Sequence, residues 1–314
     1  MTVAALVVSH DRVDLLRLCL ERLSRQTRPL DDIIVVDNQS SDGTVEMVAA
    51  EFPDVILLHT QANLGGAGGF SAGLEHAIQR GYDYVWLMDD DAYPEPDALA
   101  PLVAAIDRPV AGDRPGFVAC EVLSPDGIKD DPWKYPKPHR SITTSCPTPP
   151  GTVPVGFAVF VGVLINVHVA RRTYLPVGDF FIWWDDTEYT SRLQRLAGGF
   201  YHPGSVIRHP IKPELDDLKG RLRHDLRNRI WIIRDDRLGS RTALAKARGQ
   251  LWTRIWTQAR DAESKLAYLR NLSLGLYEGL FTRPRVRMPV TPELPSPADS
   301  HDGSFQAARR TSTW

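Results

Sequence analysis

Asp83-Tyr-Val-Trp-Leu-Met-Asp-Asp-Asp-Ala-Tyr-Pro-Glu-Pro-Asp97 is the stretch that decides the fold. Tyr84 to Met88 is apolar throughout, the pattern of a strand covered on both faces. It runs directly into three consecutive carboxylates, Asp89, Asp90 and Asp91. Pro94 and Pro96 stop the pattern, and Pro96 is suited to open a helix. Three adjacent acids repel one another unless something positive neutralises them. Hard divalent cations bind carboxylate oxygens, and magnesium typically takes one or two carboxylates together with phosphate oxygens. The stretch therefore reads as a metal clamp for a diphosphate, placed at the carboxyl end of a parallel sheet, where open α/β sheets bind ligands. The alternative is a solvated acidic turn, which fits less well behind so apolar a strand.

Working outward, the chain before this stretch alternates strand and helix patterns. Strands are predicted over Val3–Ser9, Asp32–Asp37 and Val55–His59. A helix over Val13–Arg25 has Leu15, Leu16, Cys19, Leu20 and Leu23 at helical spacing. Further helices are predicted from about Phe70 to Arg80 and from Pro96 to Ile106. This βαβα order argues for an α/β fold with a mostly parallel sheet and helices on both faces.

Two strand–helix junctions carry polar signals. Asp37 follows the apolar run Ile33 to Val36, where a carboxylate can accept from a uracil ring or a ribose; Ser41 or Asp42 can cap the next helix. Asn63-Leu-Gly-Gly-Ala-Gly-Gly-Phe70 has four glycines in five residues. That composition costs chain entropy, so close backbone approach or positive φ is expected. Either an anion faces the helix amides there or the glycines make a tight packing turn. No Gly-Lys-Ser/Thr follows, and the run does not come after the first strand, so neither the phosphate-loop nor the nicotinamide-binding motif fits.

Residues 107–152 are irregular and proline-rich, with a strand expected at Gly116–Leu123 and a covering loop around it. Trp133 and Tyr135 are expected to anchor that loop. The uncharged run Gly151–Ala170 contains Pro154, Asn166 and His168 and reads as strand rather than as a membrane span. The second chemical constellation is Gly178-Asp-Phe-Phe-Ile-Trp-Trp-Asp-Asp-Thr-Glu-Tyr-Thr-Ser-Arg-Leu193. Asp185 and Asp186 open a helical pattern whose dipole favours them there. A carboxylate beside bulky aromatics also suits a general base aimed at a hydroxyl, with an aromatic face to stack on a sugar. His209 ends the next short apolar strand, and imidazole is a common metal ligand.

Taken in order, Val7-Val-Ser-His-Asp-Arg12, Ile34-Val-Val-Asp-Asn38, Asn63 to Phe70, Trp86-Leu-Met-Asp-Asp-Asp91, Trp184-Asp-Asp186 and His209 resemble the inverting, GT-A-fold glycosyltransferases of family two. Within that family, the actinobacterial galactofuranosyltransferases of the cell-wall galactan are most similar, then rhamnosyltransferases. The resemblance covers residues 2–235. It implies a nucleotide-sugar donor, UDP-galactofuranose or dTDP-rhamnose, and a glycan or polyprenyl-linked acceptor. It implies a Mn or Mg cofactor on Asp89, Asp91 and His209. It places His10, Arg12, Asp37, Asn63, Gly66, Asp89 and Asp90 at the nucleotide, and Trp184, Asp185 and Glu188 at the sugars. Asp186 takes the place of the catalytic base. Arg227-Asn-Arg229 resembles a downstream signature of these enzymes. Asp-Asp-Thr-Glu differs from the acidic segment of both galactofuranosyl subtypes, so the donor sugar stays open between the two. A nucleotidyltransferase and an inactive carbohydrate-binding scaffold are the competing classes. The first lacks its early Gly- and Lys/Arg-rich loop; the second is disfavoured because every carboxylate needed is present.

From Arg221 to Arg260 there are eleven basic residues against three acidic ones, interleaved with Trp231, Trp252 and Trp256. With the leucines up to Phe281, this predicts amphipathic helices that lie on an anionic membrane or pack on the first domain. Three regions follow: a GT-A domain over 1–215, basic helices over 216–285 and a disordered tail over 286–314, rich in Pro, Ser, Thr and Asp. The whole chain has 314 residues, 43% hydrophobic and 24% charged, with a net charge of −2. That is ordinary for a globular protein. No nucleic-acid-binding module accompanies the basic segment, so nucleic acid is not an expected partner. Cys19, Cys120 and Cys146 form neither a disulfide framework nor a zinc pattern. With no charged leader before Val3, the expected place is the cytoplasm, peripheral on the inner face of the membrane. An oligomer is compatible with the sequence.

Overall fold

The computed structural model describes residues 1–107, 114–128, 146–210, 218–238, 241–249 and 251–290. Trp133, Tyr135 and the last 24 residues of the expected tail, 291–314, lie outside the described residues. Strand β1 (Val3–Ser9) leads to helix α1 (Val13–Ser24), then β2 (Asp32–Asp37), α2 (Thr44–Glu51), β3 (Ile56–His59), α3 (Gly65–Arg80) and β4 (Tyr84–Asp89). These four strands are parallel, in spatial order β3-β2-β1-β4.

Beyond β4 the sheet is mixed. A two-residue β5 (Tyr93–Pro94) precedes α4 (Leu99–Asp107); β6 (Phe117–Leu123), β7 (Val153–Pro154), β8 (Val163–Asn166), α5 (Val167–Ala170), α6 (Asp185–Ala197) and β9 (Gly199–Arg208) complete the domain. β8 runs antiparallel to β4 and β6, whereas β6 and β9 are parallel. The sheet continues as β4-β8-β6-β9-β5, with β7 also on β9.

Alternation along β1 sends residues to two apolar layers. Val3, Ala5 and Val7 join Trp86 and Met88 under α1 and α4, where Leu16, Leu20, Leu99 and Leu102 close the layer. Ala4, Leu6 and Val8 join Val85 and Leu87 under α3 and α6, against Phe70, Leu74, Tyr189 and Leu193. Cys19 belongs to the first layer, as its leucine-rich setting predicts. All three cysteines are buried and reduced.

Three boundaries differ from the sequence reading. α4 starts at Leu99, not Pro96, because Tyr93 and Pro94 pair with Arg208 and Ile207 of β9 and the chain then turns through Glu95. α3 starts at Gly65, not Phe70: Asn63 Oδ1 accepts the Gly65 N–H and caps the first turn. The run 151–170 holds only six strand residues, in β7 and β8; Asn166 then caps α5 by accepting from the His168 N–H.

The basic segment is helical as predicted: α7 (Arg221–Arg234), α8 (Arg241–Gly249), α9 (Leu251–Asp261) and α10 (Lys265–Phe281). α7 is largely buried. With α8 it brings Trp231, Ile232, Ala243 and Ala247 onto Ala67, Val177, Phe180 and Trp184 of the first domain. Five residues of the expected tail, 286–290, are described. Residues 286–290 return to that domain, where the Arg287 carbonyl accepts from the Leu175 N–H and the Arg287 guanidinium pairs with Glu75. No described helix is long and apolar enough to cross a membrane.

Candidate active site

β1, β2 and β4 end level with one another, Ser9 opposite Asp37 and Val8 opposite Asp89. The chain leaves β4 through Asp90 and Asp91. From the far side of the sheet, β9 delivers His209, whose backbone N–H donates to the Leu123 carbonyl at 2.9 Å. Ligand atoms of Asp89, Asp91 and His209 all lie within 4.8 Å of one another. His209 Nε2 is 2.9 Å from Asp91 Oδ1, and its Nδ1 is 2.8 Å from the Pro210 carbonyl oxygen. A carbonyl only accepts, so Nδ1 carries a proton and Nε2 of the neutral ring turns its lone pair toward Asp91. A cation, or a second ring proton, reconciles these two atoms. Two carboxylates and an imidazole oriented by a backbone carbonyl fit a divalent metal.

Asp90 is differently placed from what the resemblance implies. Ser9 Oγ donates to its Oδ2 at 2.9 Å and Arg12 Nη1 to its Oδ1 at 2.9 Å. Both oxygens are occupied and the residue is buried, so Asp90 braces the acidic turn rather than reaching a nucleotide. Burial pushes its carboxyl above the usual range, against the pull of Arg12 and with a push from Asp91. Arg12 also donates to Asp91 Oδ2 at 3.2 Å. It is committed to the acids, although its side chain is 41% exposed.

Asp37 is fully buried. Its Oδ2 accepts from the Ser40 N–H and lies 2.6 Å from His59 Nδ1, while its Oδ1 is buried with no hydrogen-bond partner. An orphaned buried acceptor is rare and asks for an explanation. Beside it opens a groove of about 490 Å³ lined by Ser40, Ser41, Gly43, Val45, Glu46 and His59. His10 is exposed, 3.6 Å from Asp11. Asn63 caps α3.

The glycine run is chiefly a packing device. Gly65 sits at φ +69°, and a Cβ there would stand 2.1 Å from the Phe181 carbonyl oxygen. At Gly69 a Cβ would meet Val8 at 2.5 Å. The Ala67 N–H donates to the same Phe181 carbonyl at 3.2 Å and the Gly65 N–H to Asn63, so these two amides serve the protein. Gly66 alone among these four glycines faces open space on that test.

That packing fixes the second constellation. Phe181, Trp183 and Trp184 all have positive φ (64°, 65° and 77°), an unfavourable backbone for large side chains. Asn228 of α7 holds the turn: its Nδ2 donates to the carbonyls of Phe180, Ile182 and Trp183, each at 3.0 Å. The turn delivers Asp185 and Asp186 to the first turn of α6. Burial, then the charges of Asp186 and Asp89, push the Asp185 carboxyl well above the usual range. The influence of Asp89 means that the two acidic segments, remote in sequence, lie near enough for their charges to interact. Burial also raises Asp186, opposed by the charge of Lys246.

Two expected sugar contacts are placed elsewhere. Glu188 is fully buried, with both oxygens on Arg192 at 2.6 and 2.9 Å, so it pins α6 instead of meeting a hydroxyl. Trp184 is buried under α7. Its indole N–H donates to Asp225 at 2.7 Å, and the Arg229 guanidinium lies 4.4 Å from the ring centroid. No open face is left for sugar stacking.

Residues 5–160 match the family described as glycosyl transferase family 2. The galactofuranosyltransferase GlfT1 of Mycobacterium tuberculosis is 31% identical over 307 residues, spanning 88% of this chain and 96% of GlfT1. The chain belongs to glycosyltransferase family 2. GlfT1 of Mycolicibacterium smegmatis is 29% identical over 305 residues, spanning 88% of this chain and 97% of its own.

Solved glycosyltransferases agree on the fold. A Pyrobaculum calidifontis mannosyltransferase in complex with GDP-Man and Mn2+ superposes with a TM-score of 0.56 at 17% identity, covering 88% of this chain and 84% of that one. S. aureus TarS 1-349 in complex with UDP gives 0.59 at 15%, covering 89% and 80%. This member of family 2 is thus a GT-A-fold hexosyltransferase carrying a D-x-D-type acidic cluster with a histidine. Ser9, His59, Asn228 and Lys246 contact the candidate site residues or their turn and were given no role from sequence. Ser9 and His59 had a visible signal as polar ends of apolar strands, and Asn228 as the middle of the Arg227-Asn-Arg229 signature.

Proposed function

We propose that this family 2 enzyme is a metal-dependent, inverting galactofuranosyltransferase that uses UDP-galactofuranose and extends a lipid-linked or polysaccharide acceptor of the cell envelope. The observation that carries the reading is the Asp89, Asp91 and His209 donor set, with the charge of Asp89 acting on the buried Asp185 of α6. The GlfT1 relatives, matched over nearly their whole length, support the donor.

Asp89, Asp91 and His209 would hold Mn or Mg. When bound, such a cation supplies Lewis-acid neutralisation of charge on a departing diphosphate. The Asp37 carboxylate, with its orphaned Oδ1 beside the groove at His59, is the proposed reader of the nucleobase. A small opening of that groove is needed to expose it. Asn63 and Gly66 border the nucleotide, and His10 stands at its edge.

Asp186 is the proposed base: it takes the proton of the acceptor hydroxyl while that oxygen attacks the anomeric carbon. The bond from that carbon to the diphosphate oxygen breaks, its electron pair leaves with the nucleotide, and configuration inverts. Asp185, held toward its protonated form, is suited to donate a hydrogen bond to a sugar oxygen.

The outer faces of the last two helices support a peripheral position on the membrane. Trp252 and Trp256 of α9 are 71% and 74% exposed; Leu266, Leu269, Tyr277, Leu280 and Phe281 form an exposed stripe along α10. Arg270 and Arg283 flank that stripe and are exposed. Tryptophan and leucine beside arginine suit an anionic lipid surface, where a lipid-linked acceptor resides.

A panel of UDP- and dTDP-sugars with a synthetic lipid-linked acceptor tests the reading. Turnover is expected with UDP-galactofuranose, and Asp186→Asn should abolish it while nucleotide binding persists. Turnover with dTDP-rhamnose alone would transfer the donor assignment. Normal turnover by Asp186→Asn would remove Asp186 as base.

A further inference from the structure

We propose that Lys246 is a positioning residue for sugar transfer, sent by the helical extension to orient the Asp186 carboxylate and keep it charged. The proposal rests on the reading of Asp186 as the base.

The placement follows from how α8 docks. Ala243 and Ala247 are small and fully buried, which lets the helix approach Trp184 and Trp231 closely. Arg229 of α7 fastens it by donating to the Ala247 carbonyl. Lys246, next to Ala247, is thereby carried to the start of α6. Its ammonium donates to Thr187 Oγ1 at 3.2 Å and lies 4.1 Å from the Phe157 ring centroid and 5.5 Å from that of Trp184. Two aromatic faces and a hydroxyl define a seat for a compact cation.

Thr187 joins the two charges. Its side chain accepts from Lys246 and its backbone N–H donates to Asp186 Oδ1. The charge of Lys246 acts on Asp186 and opposes the effect of burial there. Asp185 is the acid beside it on α6, and Asp89 of β4 acts on Asp185 in turn. Glu188, the third acid of that helical turn, is matched by Arg192. Lys246 is thus a cation that acts on Asp186 against this acidic surrounding. A purely structural alternative exists: Lys246 could simply glue α8 to Phe157 and Trp184.

Lys246→Met, Lys246→Arg and Lys246→Glu separate the two roles. The methionine keeps the unbranched stem against Phe157. The readouts are the pH profiles of kcat and kcat/KM with the donor that turns over in the panel, UDP affinity by calorimetry and thermal melting. A positioning role predicts that Lys246→Met lowers kcat at neutral pH and moves the acid limb up by about one pH unit. Lys246→Arg should restore most of the profile, Lys246→Glu should move the limb further, and UDP affinity should not change. If the limb stays in place in the methionine and glutamate variants, the proposal is overturned, whatever happens to melting. Should the methionine variant fail to fold, the arginine and glutamate variants decide: coincident limbs refute the role. Transfer by Asp186→Asn would instead remove the base reading beneath it, so the two failures are distinguishable.

Discussion

His209 Nε2 stands 2.9 Å from Asp91 Oδ1, although the two residues come from opposite halves of the sheet. One arrives at the end of β4 and the other at the end of β9. The Pro210 carbonyl fixes which ring nitrogen faces the acid. Every other proposed role is arranged around that meeting: Ser9 and Arg12 brace the acidic turn from behind, and Asp185 approaches from α6.

The raised proton affinity of Asp185 has a consequence for stability. Its folded-state proton affinity is raised above that of an unfolded aspartate, chiefly by burial. Such a group contributes stability that is fully present below the unfolded pKa and is lost as pH rises through the folded one. Asp185→Asn removes that loss. Its melting temperature should exceed that of the wild type at neutral pH, by about 2–4 °C per kcal/mol relieved, and the gap should close toward pH 4. An equal or lower melting temperature at neutral pH would contradict the raised affinity.

Activity should show the opposite dependence. Asp186 must be ionised to accept a proton, and burial raises its proton affinity. The rate should therefore fall with decreasing pH at a point above the usual carboxylate range. A pH–rate profile flat down to pH 4 would exclude Asp186 as the titrating base.

Asn228→Leu should disorganise the turn at Phe180–Trp184, because the Ile182 and Trp183 carbonyls lose their donor, while that of Phe180 keeps Arg227 and the Ile182 N–H. Leaving buried acceptors unmatched costs about 1–3 kcal/mol each when water cannot replace the donor. Urea denaturation should report a loss of about 2–6 kcal/mol for the two carbonyls together, and kcat should fall with it. Wild-type stability and activity would show that the positive-φ turn needs no external support.

Trp252→Ala combined with Trp256→Ala should leave the melting temperature close to wild type, since both rings are mainly exposed. Co-sedimentation with vesicles containing anionic lipid should drop severalfold, whereas turnover of a short water-soluble acceptor should persist. Unchanged sedimentation would argue that this face does not meet lipid.

The first half of the fold was legible because each strand is an apolar run that ends in a polar residue at the same edge. Asp37 and Asp89 belong to strands two places apart in the sheet, and the run lengths alone put them level. Register and strand order beyond β4 were not legible: the helix expected from Pro96 starts at Leu99, after Tyr93 and Pro94 pair with β9, which depends on β9 arriving beside them. The glycines at 65–69 announced close approach, but their partner, the Phe181 carbonyl, is remote in sequence. Glu188 looked like a site acid until Arg192, one helical turn on, was seen to take both its oxygens. Lys246 lay hidden among eleven basic residues between Arg221 and Arg260. Which acids are matched by a neighbouring arginine and which are not depends on tertiary contact and on partners that spacing alone does not give.

The most direct measurement is calorimetric titration of UDP into the wild type, Asp91→Ala and His209→Ala, each with and without manganese. The wild type should bind UDP tightly only with the metal, and each variant should lose about 10–100-fold of that metal-dependent affinity while melting as a folded protein. Binding of UDP that is equally tight in all three proteins, and indifferent to manganese, would contradict a cation-held nucleotide at Asp89, Asp91 and His209.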